Sequence, residues 1–204
     1  YLATLSNGPG DTKADLLVNV DDGVTLNSSS SVTQADLQAD NGVIHVIDQV
    51  LVPPTVVDMA INNPIFSSLV SAVLKAELAA TLSGDGPFTV FAPTDQAFSE
   101  LFTALQIAGI DDLTKENLLP ILNYHVVRGN ILSSDLSSGN VTTIGGKDIA
   151  IEVGSSVTIN GNATVVSADV QGTNGVVHAI DKVLLPENAP KNIVETAMSD
   201  EQFS

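Results

Sequence analysis

The stretch NGVIHVIDQVLVPP, residues 41–54, returns almost unchanged as NGVVHAIDKVLLPE at residues 174–187. A chain of 204 residues that repeats a phrase 133 positions apart carries a duplicated active site, a duplicated ligand site, or the closing strand of a repeated structural unit. Working outward, residues 24–54 align with 157–187 without a gap, with 16 identities in 31 positions. VTLN matches VTIN and ADLQ matches ADVQ ahead of the phrase. Beyond it, VVDMAINNPIFS (56–67) matches IVETAMSDEQFS (193–204) at a spacing of 137. A period of about 135 residues is the size of a domain, not of a solenoid turn. Residues 55–186 therefore read as one whole unit, 1–54 as the C-terminal part of another, and 187–204 as a linker and the first helix of a further one. Prolines in VPPT (52–55) and LPENAP (185–190) mark the joints. Linkers this short hold neighbouring units close.

Composition narrows the function classes. Hydrophobic residues make up 44 % of the chain and charged residues 15 %, enough to bury a core and too little charge for a disordered chain. There are 24 acidic and 7 basic residues, for a net charge of −17. Nucleic acid and anionic membrane surfaces are poor partners for such a chain, because both need Lys and Arg. The acidity forms no run of like charge and reads as solubility. Cysteine is absent, which removes disulfides, thiolate nucleophiles and cysteine metal sites. No apolar run approaches the roughly 18 residues of a membrane span. The opening YLATLSNGPG carries neither an initiator methionine nor a signal peptide, as expected of a fragment or processed piece.

Within 55–186, helical signals precede strand signals. Apolar spacing predicts helices over about 55–62 and 65–75 with a further turn to about 82. FTVFAPT is a short β-rich run and predicts a buried strand. Thr94 is placed to cap the helix DQAFSELF, with Asp95 in its first turn. Thr114 is placed to cap TKENLLPILNYHVV, whose Leu118, Leu119, Leu122 and Val126 face the core. From Gly129 onward, KDIAIEV, SVTIN, TVVSADV and GVVHAIDKVLLP follow a period of two between Gly and Asn turns. Helices first and strands later make an α+β fold.

The repeated histidines, His45 and His178, sit in strands. A neutral imidazole can donate from one nitrogen and accept at the other, tying its strand to a neighbouring backbone. A metal or catalytic role is the alternative, but no second ligand-type residue stands at metal spacing. Asp48 and Asp181, three residues on, are placed for a turn or a buried polar contact. Tyr124 and His125 lie near the end of the ENLLPILNYHVV helix, where packing and a favourable cation at the helix C-terminus account for them. With three histidines in all, no G-x-S-x-G elbow, no H-E-x-x-H and no phosphate-binding glycine loop, catalysis and cofactor binding are not expected. VNVDDGVTLN offers oxygens but lacks the ligand pattern of an EF-hand loop, leaving weak calcium binding by surface carboxylates. Asn27, Asn140 and Asn162 head Asn-x-Ser/Thr triplets.

FTVFAPTDQAF (88–98), YHVV (124–127) and NGVVHAIDKVLLP (174–186), in that order and at domain distances, resemble the fasciclin (FAS1) domain. The resemblance implies a wedge-shaped β-sandwich with helices packed against it, outside the cell or on its surface, often in tandem, in adhesion or matrix assembly. It marks Tyr124 and His125, with Val126 and Val127 beside them, as adhesion candidates. It marks Asp169 and Val170 as a second adhesion sequence, with Asp36 and Leu37 as their equivalents in the partial unit. The partners it implies are other fasciclin repeats, copies of the chain itself, or a cell-surface protein or glycan. Tandem copies would multiply weak contacts into avidity. The runner-up is a module that binds a small ligand or polysaccharide in the cleft between helices and sandwich.

Overall fold

A computed structural model describes residues 1–187. The expected first helix of a further unit lies outside the described residues. The leading segment is β apart from a single 3-10 turn at Pro9–Asp11. Strands β1 (Leu2–Asn7) and β2 (Lys13–Leu16) form an antiparallel pair. Strands β3 (Val18–Asn19), β4 (Thr25–Leu26), β5 (Ser30–Ala39) and β6 (Gly42–Ile47) form an antiparallel sheet in that order.

Helices follow. Thr55 caps α1 (Val56–Asn62) with a reciprocal pair of bonds: its Oγ1 accepts from Asp58 N at 3.3 Å, and Asp58 Oδ2 accepts from Thr55 N at 2.9 Å. A single turn at Pro64–Phe66 divides α1 from α2 (Ser67–Lys75), and α3 (Ala79–Leu82) completes the group. Next come β7 (Phe88–Pro93), α4 (Asp95–Leu105) and α5 (Lys115–Tyr124). Thr94 Oγ1 caps α4 by accepting from Ala97 N at 3.3 Å, and Thr114 caps α5 in a box with Asn117. Asp95 also binds the start of α2, accepting from Ser68 N at 2.7 Å and Ser67 Oγ at 2.6 Å. Burial pushes its carboxyl up, but these hydrogen bonds outweigh burial and hold it below the usual carboxylate range.

The remaining strands are β8 (Val126–Arg128), β9 (Gly139–Thr142), β10 (Asp148–Val153), β11 (Val157–Ile159), β12 (Ala163–Gly172) and β13 (Gly175–Ile180). With β7 they make a seven-stranded sheet ordered β8-β7-β13-β12-β11-β10-β9. Only β7 and β13 run parallel, with Gly175 opposite Phe88 and Ile180 opposite Pro93. The sheet closes back on itself. Val127 bridges Thr143, just past β9, and Ile144 N donates to Val126 O at 2.8 Å. Phe91, Ile149, Ile151, Ile159 and Ile180 fill the interior so formed. On the other side of β7 and β13, Val90, Val177 and Ala179 meet Met59, Leu69, Phe98, Leu101 and Leu118 from the helices. Every residue of β7 and β13 is buried, because one face looks into the sandwich and the other into the helical layer. The architecture is an α+β sandwich.

Shifted by 133 residues, the leading sheet reproduces β10–β13 in detail. Asn27 and Asn160 stand at φ 48° and 51°, and their Oδ1 atoms accept from Leu17 N at 3.1 Å and Ala150 N at 2.9 Å. Asp36 and Asp169 stand at φ 60° and 62°, each at a break in strand register, a conformation Asp tolerates better than most residues. The two parts meet through named bonds. Gln171 N donates to Asp15 Oδ2 at 2.9 Å, Asn63 Nδ2 to the Tyr1 hydroxyl at 2.9 Å, and Ser28 Oγ to Asn62 O at 2.9 Å. Gly8 lies so near Gly172 that a Cβ there would stand 2.9 Å from Gly172 O.

Candidate functional site

Tyr124 and His125 are delivered by the end of α5 to the seam where the sheet closes. Tyr124 is 7 % exposed. Its hydroxyl donates to Asp148 O at 2.9 Å and accepts from Asn160 Nδ2 at 3.1 Å. His125 is 2 % exposed. Leu184 N donates to its Nε2 at 2.9 Å, which places the ring proton on Nδ1, 2.8 Å from Ile121 O. Burial drives the pKa of this imidazole down to about 4, against the opposing hydrogen bond to Ile121. A second proton would also set an N–H at Nε2 against the N–H of Leu184. In the folded chain both side chains face the interior, and their polar atoms are taken up by the fold.

His178 is fully buried in β13. Its Nδ1 accepts from Asp169 N at 3.2 Å and its Nε2 bonds Ile131 O at 2.9 Å. The ring stacks on Phe91 with centroids 5.6 Å apart. Burial lowers its pKa, opposed by the Ile131 bond and the Asp169 charge. The Asp169 carboxylate accepts from Ser133 N at 2.7 Å and from Ser133 Oγ. Val170 is buried opposite Val177 in register. In the leading sheet Asp36 and His45 are exposed and Leu37 is half-buried opposite Ile44. Asp36 N still donates to His45 Nδ1, at 3.3 Å. Asp48 Oδ1 accepts from Ser31 N at 2.7 Å, as Asp181 Oδ1 accepts from Thr164 N at 2.6 Å.

The structure therefore separates the candidates instead of gathering them. Tyr124 and His125 sit at the seam, His178 and Asp169 at the β12–β13 pair, and Asp36 and Leu37 on the leading sheet. No group of three His, Asp or Glu side chains among the described residues is arranged to hold a metal. A narrow aliphatic cavity of about 40 Å³ lies between the α1–α3 helices and the sheet, lined by Val57, Ala60, Val73, Leu82 and Val90, with His125 as its one titratable residue. The sequence reading places a candidate binding cleft between helices and sandwich, without naming the residues that line it. Its walls come from six elements, α1, α2, α3, α5, β7 and β8, whose apolar runs were visible in advance and whose convergence was not. No single helix among the described residues is long and apolar enough to cross a membrane.

Comparison with known proteins agrees with this geometry. The fasciclin domain family matches residues 2–53 and 64–186. Protein sll1483 of Synechocystis is 43 % identical over 132 residues, covering 65 % of this chain and 73 % of that protein. Human periostin is 34 % identical over 181 residues, covering 86 % of this chain but 21 % of periostin. A FAS1 domain pair from the insect cell adhesion molecule fasciclin I superposes with a TM-score of 0.60 at 24 % identity, covering 89 % of this chain and 68 % of that one.

Proposed function

The chain belongs to the fasciclin domain family, and on that footing we propose that it is a segment of an extracellular adhesion or matrix scaffold built from tandem fasciclin repeats. Residues 1–54 are the C-terminal part of one domain, 55–186 a complete domain, and 187–204 the linker and first helix of a further one. The role is non-catalytic. It works by surface contacts with copies of itself, with other fasciclin repeats, or with a cell-surface protein or glycan. What supports an adhesive role is the fasciclin family match over residues 2–53 and 64–186, in a fold shared with a domain pair of the insect cell adhesion molecule fasciclin I.

The observation that carries this reading is the junction between the two parts. Asp15, Tyr1 and Ser28 are bonded to Gln171, Asn63 and Asn62 across it, so successive units are held at a fixed angle. A scaffold needs such stiff joints, because avidity is lost when repeats cannot engage together. The histidines support it too: the two in the complete unit are buried and hydrogen-bonded at both ring nitrogens, with nothing left for a substrate. Beads coated with one, two or four linked copies, at equal domain concentration, should aggregate more strongly as copy number rises. A flat response would remove the avidity mechanism.

A second reading rests on the aliphatic cavity, whose lining offers a polysaccharide almost nothing and suits an apolar ligand, for which its 40 Å³ would have to widen. Native mass spectrometry of chain purified from its source would separate the two, since a retained small molecule favours the cavity.

A further inference from the structure

We propose, on the footing of that second reading, that the cavity between the helices and the sheet takes the end of an unbranched alkyl chain, tail first, from a single-chain amphiphile with an uncharged or cationic head. Its walls come from α1, α2, α3, α5, β7 and β8, all within residues 55–186. Apart from His125, the lining is Ala, Val, Leu and Ile. His125 has nothing polar left for an occupant, because Nδ1 is bonded to Ile121 O and Nε2 to Leu184 N. A buried water needs about two to four polar partners, and this lining supplies none, so its chemistry selects hydrocarbon.

Size selects the shape. The space is about 40 Å³. An engineered apolar cavity that holds benzene measures about 150 Å³, so a ring needs several times this room. A methylene chain is the narrowest hydrocarbon, and its end asks for the least widening. That widening falls to the helical side. There α1, α2 and α3 are 7, 9 and 4 residues long, and the chain bends by 102° between α1 and Pro64–Lys75. The opposite wall is stiffer, since Val90 and Val126 face each other in the β7–β8 ladder. Leu74 lines the cavity and is also 58 % exposed, so the space reaches the surface at α2 with an apolar side chain at its mouth. A seated chain has its end inside, its next carbons against Leu74 and its head in water. The net charge of −17 repels an anionic head.

The test follows methyl chemical shifts of Val57, Val73, Leu82 and Val90 in the full chain during titration with 1-butanol, 1-hexanol and 1-octanol. Benzyl alcohol is the ring control, and xenon probes the cavity itself. Affinity should rise by about two- to fourfold per added carbon, the upper value being full burial of a methylene group. Benzyl alcohol should leave these methyls unmoved. Ala60→Leu puts three more carbons into the cavity and should abolish the shifts with all three alcohols while cooperative melting is kept. Leu74→Gln, at an exposed position, should leave butanol binding unchanged and remove most of the gain from hexanol to octanol. The series on the unmodified chain does not depend on how either variant folds. Methyls that move with xenon and with no alcohol would overturn the alkyl chain and leave the cavity reading standing. If xenon moves nothing either, both fall. Affinity that does not rise with chain length, benzyl alcohol bound as tightly as hexanol, or undiminished binding by a folded Ala60→Leu chain would also overturn the proposal.

Discussion

Acid should weaken this protein through His125 before it affects most carboxylates. The ring is sealed between Ile121 O and Leu184 N, and its pKa is held at about 4 against an ordinary value of 6.5. The unfolded chain takes up the proton near 6.5, and the folded chain refuses it until about 4. The stability that rests on the neutral ring is therefore complete above the unfolded value and drains away as pH falls through that window. It does not fall further below the folded value. The gap corresponds to about 3 kcal/mol, a large share of the 5–15 kcal/mol typical of a folded domain. Urea unfolding at intervals from pH 8 to pH 4, on the native chain and on His125→Gln, isolates the term. The variant should be less stable at pH 7 by about 1–3 kcal/mol, because Ile121 O or Leu184 N loses its partner. Its stability should then fall by about 3 kcal/mol less than that of the native chain between pH 7 and pH 4. His178 also has a lowered pKa, but it titrates in both proteins and cancels in the difference. So does the relief of repulsion as a chain of net charge −17 is neutralised. Parallel curves for the two proteins would refute the reasoning.

Three further outcomes are expected. Tyr124→Phe strands Asp148 O and Asn160 Nδ2 and should cost about 1–2 kcal/mol in unfolding free energy. Bead adhesion by this variant should drop only as far as the folded fraction does, and any greater loss would mean the phenol meets a partner directly. Gly175→Ala sets a methyl group 2.1 Å from Phe88 O and should abolish cooperative melting or lower stability by several kcal/mol, an outcome that calorimetry reads directly. Asp15→Ala removes the acceptor of Gln171 N and should broaden the spread of angles between the two parts, with residues 55–186 still folded. Small-angle scattering checks this through a larger radius of gyration, and an unchanged profile would show that the other junction bonds suffice.

Local chemistry was legible and long-range assembly was not. Thr94 and Thr114 announced their caps because capping needs only a hydroxyl and the three residues after it. FTVFAPT and GVVHAI announced strands, and the split of GVVHAI into two faces follows from strand geometry: Val177 and Ala179 meet the helices, Ile180 the sandwich interior. What no local signal gave is that β7 lies parallel beside β13, because that pairing joins residues about 87 positions apart. The acceptor role of His125 depends on Leu184, 59 positions away, so the helix end alone suggested a cation where the fold holds a neutral ring. The bulges at Asp36 and Asp169 did leave a trace. Both copies break their alternation at Ala-Asp, and Asp in place of a β-branched residue signals positive φ.

The two copies of the phrase also separate what a sequence dictates from what its surroundings supply. Asp36–His45 and Asp169–His178 make the same backbone-to-ring bond, at 3.3 and 3.2 Å, because each hairpin builds it alone. One histidine is then exposed and the other wholly enclosed. The difference lies in Phe91 and Ile131, which only the complete unit brings up. A closing strand requires only that the ring be able to bond backbone on either side once β7 arrives, and both rings keep that ability.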